Sequence, residues 1–413
     1  MKNLIENEGC NLKVGINDKK KEIYIPHISR FLNTLVLGNK GTGKSSLILK
    51  EFAYQTISDR NIGGTFIVSS KDLSYELYIL AKHYKRRVVF INPSISNDAE
   101  ILLKQKNLSI NDISSKYNFE KYIFNNYIII IDSENVANGS EGIKFTSLLL
   151  ENLKNAMYKS DITCSRPHFL YVDDAFNYID YLQDIIYYGN EYNLATTLFF
   201  QNRNQFKSEN KDYTSFIDSN IGNIILTNNL NIDDAKFYGE ILDINLAVCS
   251  KSKGKFFYEF KSKDGARFSG NGEIKESLEI EDIIYEELYS VKRALKRKKI
   301  KEKEKNNIEK TSEKFSKNKK PAPLEDINAQ NNSIDDNNEL INLGGNADDS
   351  IDNQEPPTVC FEDKFSDLKI KKDNDLGEES SDLEEESSDN TFNNQVFEDG
   401  KIELTFDWDD DDF

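Results

Sequence analysis

Cysteine, histidine and methionine are scarce in these 413 residues, at four, three and two. Cys10, Cys164, Cys249 and Cys360 lie far apart without a C-x-x-C pair, and His27, His83 and His168 are as scattered. Neither a disulfide framework nor a zinc site is suggested. Long apolar runs are also missing. The longest stretches, such as Tyr127–Ile131 (YIIII), are far too short to span a bilayer, and the N-terminus has no apolar signal region. The expectation is a soluble cytoplasmic protein without a transmembrane segment, any peripheral membrane attachment coming through a partner.

Charge is not evenly spread. The formal net charge is -18, yet residues 301–413 hold 33 acids against 13 bases, while the first 300 hold 38 against 40. The acidity therefore belongs to the distal part. Within it, Lys292–Lys320 carries 14 basic and 4 acidic residues, and 321–413 carries 5 basic and 29 acidic. Beyond Lys320 single apolar residues are scattered among Asn, Asp, Ser and Glu, too few to offset ordering entropy by burial. Residues 271–320 are expected to form a helix and basic arm, and 321–413 a disordered acidic tail.

What is present in full is a phosphate-binding loop. Residues 38–45 read Gly38-Asn39-Lys40-Gly41-Thr42-Gly43-Lys44-Ser45, the pattern G-x-x-x-x-G-K-S, with Ser46 following. Asn33–Leu37 before it is a buried-strand run, and Ser46–Gln55 after it has helical apolar spacing. That context gives the pattern its chemistry. Backbone amides in a glycine-permitted turn, aimed by a helix N-terminus, cradle polyphosphate. Lys44 would reach the β- and γ-phosphates of ATP, and Ser45 would bind Mg²⁺.

Between residues 12 and 270, β-rich runs alternate with helical patterns, the rhythm of a parallel sheet covered by helices. The expected strands are Asn33–Leu37, Thr65–Val68, Arg87–Ile91, Tyr127–Ile131, His168–Val172, Thr196–Phe200 and Asn223–Leu226. The expected helices are Lys44–Ser58, Leu73–Tyr84, Gly142–Tyr158, Ile179–Tyr188 and Ile232–Leu242. Several strands are apolar throughout, which fits burial on both faces. The fold class is α/β, a doubly wound, mostly parallel, RecA-like sheet over residues 33–270. A lead-in of residues 1–32 precedes it, and 92–125 forms a small helical insertion. A last strand, Lys255–Phe260, is expected to pair with Leu246–Cys249, and a helix Glu281–Lys299 to follow.

A phosphate loop needs an acid on a neighbouring strand to hold Mg²⁺, and often a second to polarise the attacking water. Residues 168–174, HFLYVDD, end an apolar strand in Asp173 and Asp174. Asp173 is the candidate Mg²⁺ acid and Asp174 the candidate activating carboxylate. A strand ending in an acidic turn is the plainer reading, and Asp132 and Asp72 compete. The next strand ends in Gln201, whose amide suits contact with the γ-phosphate or its water.

The order of these motifs resembles the TraG/TraD-like conjugative coupling proteins of type IV secretion, in the FtsK and HerA group of ring ATPases. The resemblance runs through IYIP (Ile23–Pro26), NTLVLGNKGTGKSS, GGTFIVSSKDLSYEL (Gly63–Leu77), RVVFINP (Arg87–Pro93), RPHFLYVDDAFNY (Arg166–Tyr178), NEYNLATTLFFQNRNQF (Asn190–Phe206) and IGNIILTNNLNIDDAKFYGEIL (Ile221–Leu242). It implies a homo-hexameric ring with ATP at subunit interfaces and DNA in a central channel, moved by hydrolysis. Relaxase and membrane-channel partners are implied with it.

The chain also departs from that family. It lacks the usual N-terminal membrane helices, and Asp-Pro-Lys-Gly-Glu is replaced by Ser69-Ser70-Lys71-Asp72-Leu73. Where the family often has, just before the Gln strand, an arginine that reaches the neighbouring subunit's γ-phosphate, this chain has Tyr188-Gly189-Asn190-Glu191, leaving Arg203 and Arg166 as substitutes. A viral genome-packaging ATPase with capsid partners shares the group and is one alternative. A nucleotide-gated binding module with little turnover is another. The closing residues Leu404–Phe413 join acids to aromatics around the single tryptophan, Trp408, and either dock a protein partner or serve as a solubilising tail.

Overall fold

The computed structural model describes residues 11–92, 107–134, 140–159, 166–208, 211–227, 229–242, 253–262, 264–290, 293, 297, 368–370 and 404–406. By contacts the chain divides into a unit of residues 1–289 with 367–413 and a second of 290–366. All that follows concerns the first unit.

Strands β1 (Leu12–Ile16) and β2 (Glu22–Ile25) form a hairpin, and the short helix α1 (His27–Arg30) leads into β3 (Thr34–Leu37). One π-type turn, Lys44–Leu49, then runs into α2 (Lys50–Ser58). Alternation continues through β4 (Gly63–Val68), α3 (Lys71–His83), β5 (Val88–Ile91), α4 (Ile110–Lys116), α5 (Phe119–Phe124), β6 (Ile128–Asp132) and α6 (Ser140–Lys159). After it come β7 (His168–Val172), α7 (Ile179–Tyr188), β8 (Leu194–Phe200), α8 (Thr214–Asn220), β9 (Asn223–Thr227) and α9 (Ile232–Leu242). The antiparallel pair β10 (Lys255–Lys261) and β11 (Arg267–Glu273) and a helix α10 over 278–290 complete the unit.

Eleven strands make one sheet in the order β2-β1-β11-β10-β9-β3-β8-β7-β4-β6-β5. From β9 to β5 every neighbouring pair is parallel. Each of β3, β4, β6, β7 and β8 is buried at every residue, as a parallel sheet covered on both faces requires. The α/β, mostly parallel architecture is thus the one the apolar runs predict.

Two expectations are corrected. The stretch 1–32 is more than a lead-in, because β1 and β2 extend the main sheet; β2 alternates exposed and buried residues, a one-sided pattern easily passed over in four residues. Strand β10 pairs along its length with β11, whereas Leu246–Cys249 lies outside the described residues. The Asp264-Gly265 pair, with Gly265 at φ 86°, is the turn signal for that hairpin. The tail, expected to be disordered, lies outside the described residues except for β12 (Leu368–Ile370) and β13 (Leu404–Phe406), which pair antiparallel. Most of the basic arm also lies outside them.

Within 92–125 the described part forms α4 and α5. Ile113, Tyr117, Phe119 and Tyr122 join the same apolar core as β6 and α6. No helix among the described residues is long and apolar enough to cross a membrane.

Candidate functional site

The phosphate loop leaves β3 at the C-terminal edge of the parallel strands. Gly38 N–H donates to Phe200 O at 3.2 Å, which starts the loop in line with β8. Gly41 and Gly43 take φ of 84° and 92°, the left-handed region that glycine enters without strain. At Gly38 the constraint is space: a Cβ would lie 1.7 Å from Thr227 Oγ1. That hydroxyl stands 2.8 Å from Thr42 Oγ1, which donates to Asn39 O at 2.9 Å. A relay from β9 therefore fixes the back of the loop.

Lys44 is buried, and its Nζ donates to Gly38 O at 2.6 Å and Asn39 O at 3.1 Å. Burial pushes its pKa down, while the carboxylates of Asp173 and Asp174 oppose the shift. An ammonium has three protons, so one remains for an anion in the cradle. The turn beyond the loop is wider than an α-turn, since Gly43 O accepts from both Leu47 N and Ile48 N at 2.9 and 3.1 Å. Its second residue, Ser45, points its hydroxyl at β7.

There Ser45 Oγ lies 3.0 and 2.9 Å from the two carboxylate oxygens of Asp173. Asp173 is 2% exposed, and its N–H donates to Ile67 O at 2.9 Å, seating it against β4. Burial raises its pKa; hydroxyls from Ser69 and Ser45 and the charge on Lys44 act the other way, while Asp174 adds to the rise. Asp174 takes a left-handed φ of 45° and opens the short turn Ala175–Tyr178. Because β8 lies between β3 and β7, Gln201 at its end stands between the loop and the acids. Its N–H donates to Gln205 Oε1 at 2.7 Å, so the turn after β8 is held by its own side chain.

Residues 40–41 and 43–46, Asp173, Asp174 and Gln201 line one cavity of about 860 Å³. Gly38, Asn39 and Thr42 form the scaffold behind it. Asp72 is on the rim of the same cavity, whereas Asp132 is not. Asp132 is fully buried, accepts from Ser74, Asn92 and Glu134 N–H, and is pushed up to about 6 by burial. It is a structural acid.

Sequence reasoning missed two parts of the cavity. Ser69, at the end of β4, donates to Asp173 Oδ2 at 2.6 Å. The other is a clasp in which Lys50 Nζ meets Glu76 Oε2 at 2.9 Å and Glu281 Oε1 at 2.5 Å, joining α2 to α3 and α10. Neither has a local sequence signal. Hydroxyls at strand ends are common, and the clasp spans more than 200 residues.

Of the two arginines considered for the γ-phosphate, Arg203 is held inside its own chain. Its guanidinium lies 3.2 Å from the centre of the Phe237 ring and 2.5 Å from Asp218. Arg166 is exposed at the start of β7, the end opposite Asp173.

The groups at the site fall into two complementary sets. A glycine-shaped cradle and a buried ammonium suit phosphate, and the oxygens of Ser45 and Asp173 suit a hard divalent cation. The arrangement can hold a nucleoside triphosphate with its metal.

No known family profile and no curated protein sequence matches the chain. Solved structures do. One is the plasmid coupling protein TrwB in complex with the non-hydrolysable GTP analogue GDPNP, at 11% identity and TM-score 0.41 over 64% of this chain and 90% of that one. Another is VirB4 of Thermoanaerobacter pseudethanolicus, at 11% and 0.46 over 66% and 99%. A third is the genome packaging NTPase B204 of Sulfolobus turreted icosahedral virus 2 in complex with ATP-gammaS, at 12% and 0.34 over 58% and 97%. Similarity at this level says what the chain resembles; its chemistry has to be read from its own residues.

Proposed function

We propose that this chain is a Mg²⁺-dependent ATPase whose turnover moves DNA, as a coupling motor for conjugative plasmid or mobile-element transfer. The observation that carries the ATPase reading is the convergence of Lys44, Ser45 and Asp173 from two separated strands on one cavity. DNA as the substrate rests on the motif order and on the basic arm Lys292–Lys320, whose charges suit phosphates.

In this mechanism the loop amides and Lys44 bind and neutralise the β- and γ-phosphates. Ser45 and Asp173 hold Mg²⁺, which when bound neutralises charge on the phosphate oxygens. Asp174 orients the attacking water and accepts its proton, and Gln201, between the loop and the acids, contacts the γ-phosphate or that water. The bond broken joins the γ-phosphorus to the bridging oxygen, giving ADP and inorganic phosphate. Lys44→Ala should lower hydrolysis to background. Wild-type turnover in that variant would remove the site assignment.

A second reading, a nucleotide-gated binding module with little turnover, is favoured by the engagement of Arg203 within its own chain. With no arginine at the γ-phosphate, hydrolysis would be slower by about 10³-fold or more. A second copy in a hexameric ring would have to supply one. Viral genome packaging is the further alternative, with capsid proteins as partners in place of a relaxase and channel.

A further inference from the structure

Ser69 closes β4 next to a second serine, and the two hydroxyls do different work. Ser70 caps α3, its Oγ accepting from Leu73 N–H at 3.4 Å. Ser69 instead turns to β7 and donates to Asp173 Oδ2 at 2.6 Å. The sheet sets this up: β4 and β7 are parallel neighbours with Ile67 opposite Val172, so the residues that follow leave adjacent strand ends. Ser45 Oγ lies almost midway between the two carboxylate oxygens, at 3.0 and 2.9 Å. A hydroxyl has one proton, so Ser45 bonds one oxygen at a time. Ser69 is committed to Oδ2.

We propose that Ser69 is a positioning residue for the metal ion: by holding Asp173 through Oδ2 it leaves Oδ1 and Ser45 as the oxygen pair open to a divalent cation. The proposal rests on the reading of this cavity as a Mg²⁺-nucleotide site. Without Ser69 the carboxylate can rotate about its Cβ–Cγ bond and satisfy Ser45 with either oxygen, so the pair is no longer preset. Groups that orient a metal ligand in this way typically contribute 10–100-fold to metal affinity.

The test is a fluorescence titration of the full chain with a fluorescent ATP analogue at increasing Mg²⁺, and again in EDTA. Ser69→Ala should raise the Mg²⁺ concentration at half-effect about tenfold and leave the affinity in EDTA unchanged. Ser69→Thr, which keeps the hydroxyl, should restore the wild-type midpoint. A wild-type Mg²⁺ midpoint in Ser69→Ala would overturn the proposal, as would an equal loss with and without Mg²⁺, or a defect that Ser69→Thr shares. Wild-type protein that binds the analogue under neither condition would instead overturn the nucleotide reading, and this proposal with it.

Discussion

Single residues divide into those whose chemistry is written locally and those whose role depends on distant neighbours. Lys44 and Ser45 belong to the first kind, because a loop between strand and helix has few geometries and its motif is contiguous. Ser69 belongs to the second, as does His168. In the sequence His168 is only the start of an apolar strand; in the fold it is 1% exposed, with Nε2 2.8 Å from Thr65 Oγ1. Burial, and secondarily the Arg86 guanidinium, push the imidazole's pKa down to about 3 from an ordinary 6.5. The unfolded chain therefore binds the proton between those values and the folded chain does not. Stability from this group is present above about pH 6.5 and is lost as pH falls toward 3. Between pH 7.5 and 5.5 the unfolding free energy should drop by about 1 kcal/mol more in wild type than in His168→Gln, measured by urea denaturation. Equal drops would show that the buried imidazole is not the source.

At the scale of elements, short runs rich in apolar and β-branched residues mark the central strands, and the candidate acids fall at the end of one of them. The weaker signals were short or two-sided. Strand β2 has only four residues, too few for its alternation to stand out, and β11 (RFSGNGE) carries two glycines and little apolar character, so it does not read as a strand by composition. Nor could pairing between elements be read where it depends on charge. Lys50, Glu76 and Glu281 are 12–21% exposed in their side chains and lie on three helices. Burial raises the pKa of Glu76 and would lower that of Lys50, yet the two carboxylates hold the lysine above its usual value. Removing the cation leaves two half-buried acids without the charge they share. Lys50→Met should therefore cost about 3–5 kcal/mol in urea unfolding and increase amide hydrogen exchange in α10. A variant of wild-type stability and exchange would show that the clasp does not fix α10 against the phosphate helix.

For the whole molecule, sheet order is what turns separate motifs into one site. The loop strand β3 and the acid strand β7 are 134 residues apart at their first positions, Thr34 and His168, yet only β8 separates them in the sheet. That order also places Gln201 between them, a relation that no local pattern contains. The segments flanking the antiparallel pair β10–β11 close the other side of the cavity: Lys253, Glu276 and Glu281 line it, so α10 borders the phosphate site.

The proposed DNA motor is tested most directly by its steady-state ATP hydrolysis in Mg²⁺, measured with single- and double-stranded DNA and without DNA, for wild type and for Lys44→Ala. The account predicts hydrolysis that DNA stimulates several-fold in wild type and that falls to background in Lys44→Ala with or without DNA. Turnover indifferent to DNA, or persisting in Lys44→Ala, would contradict it.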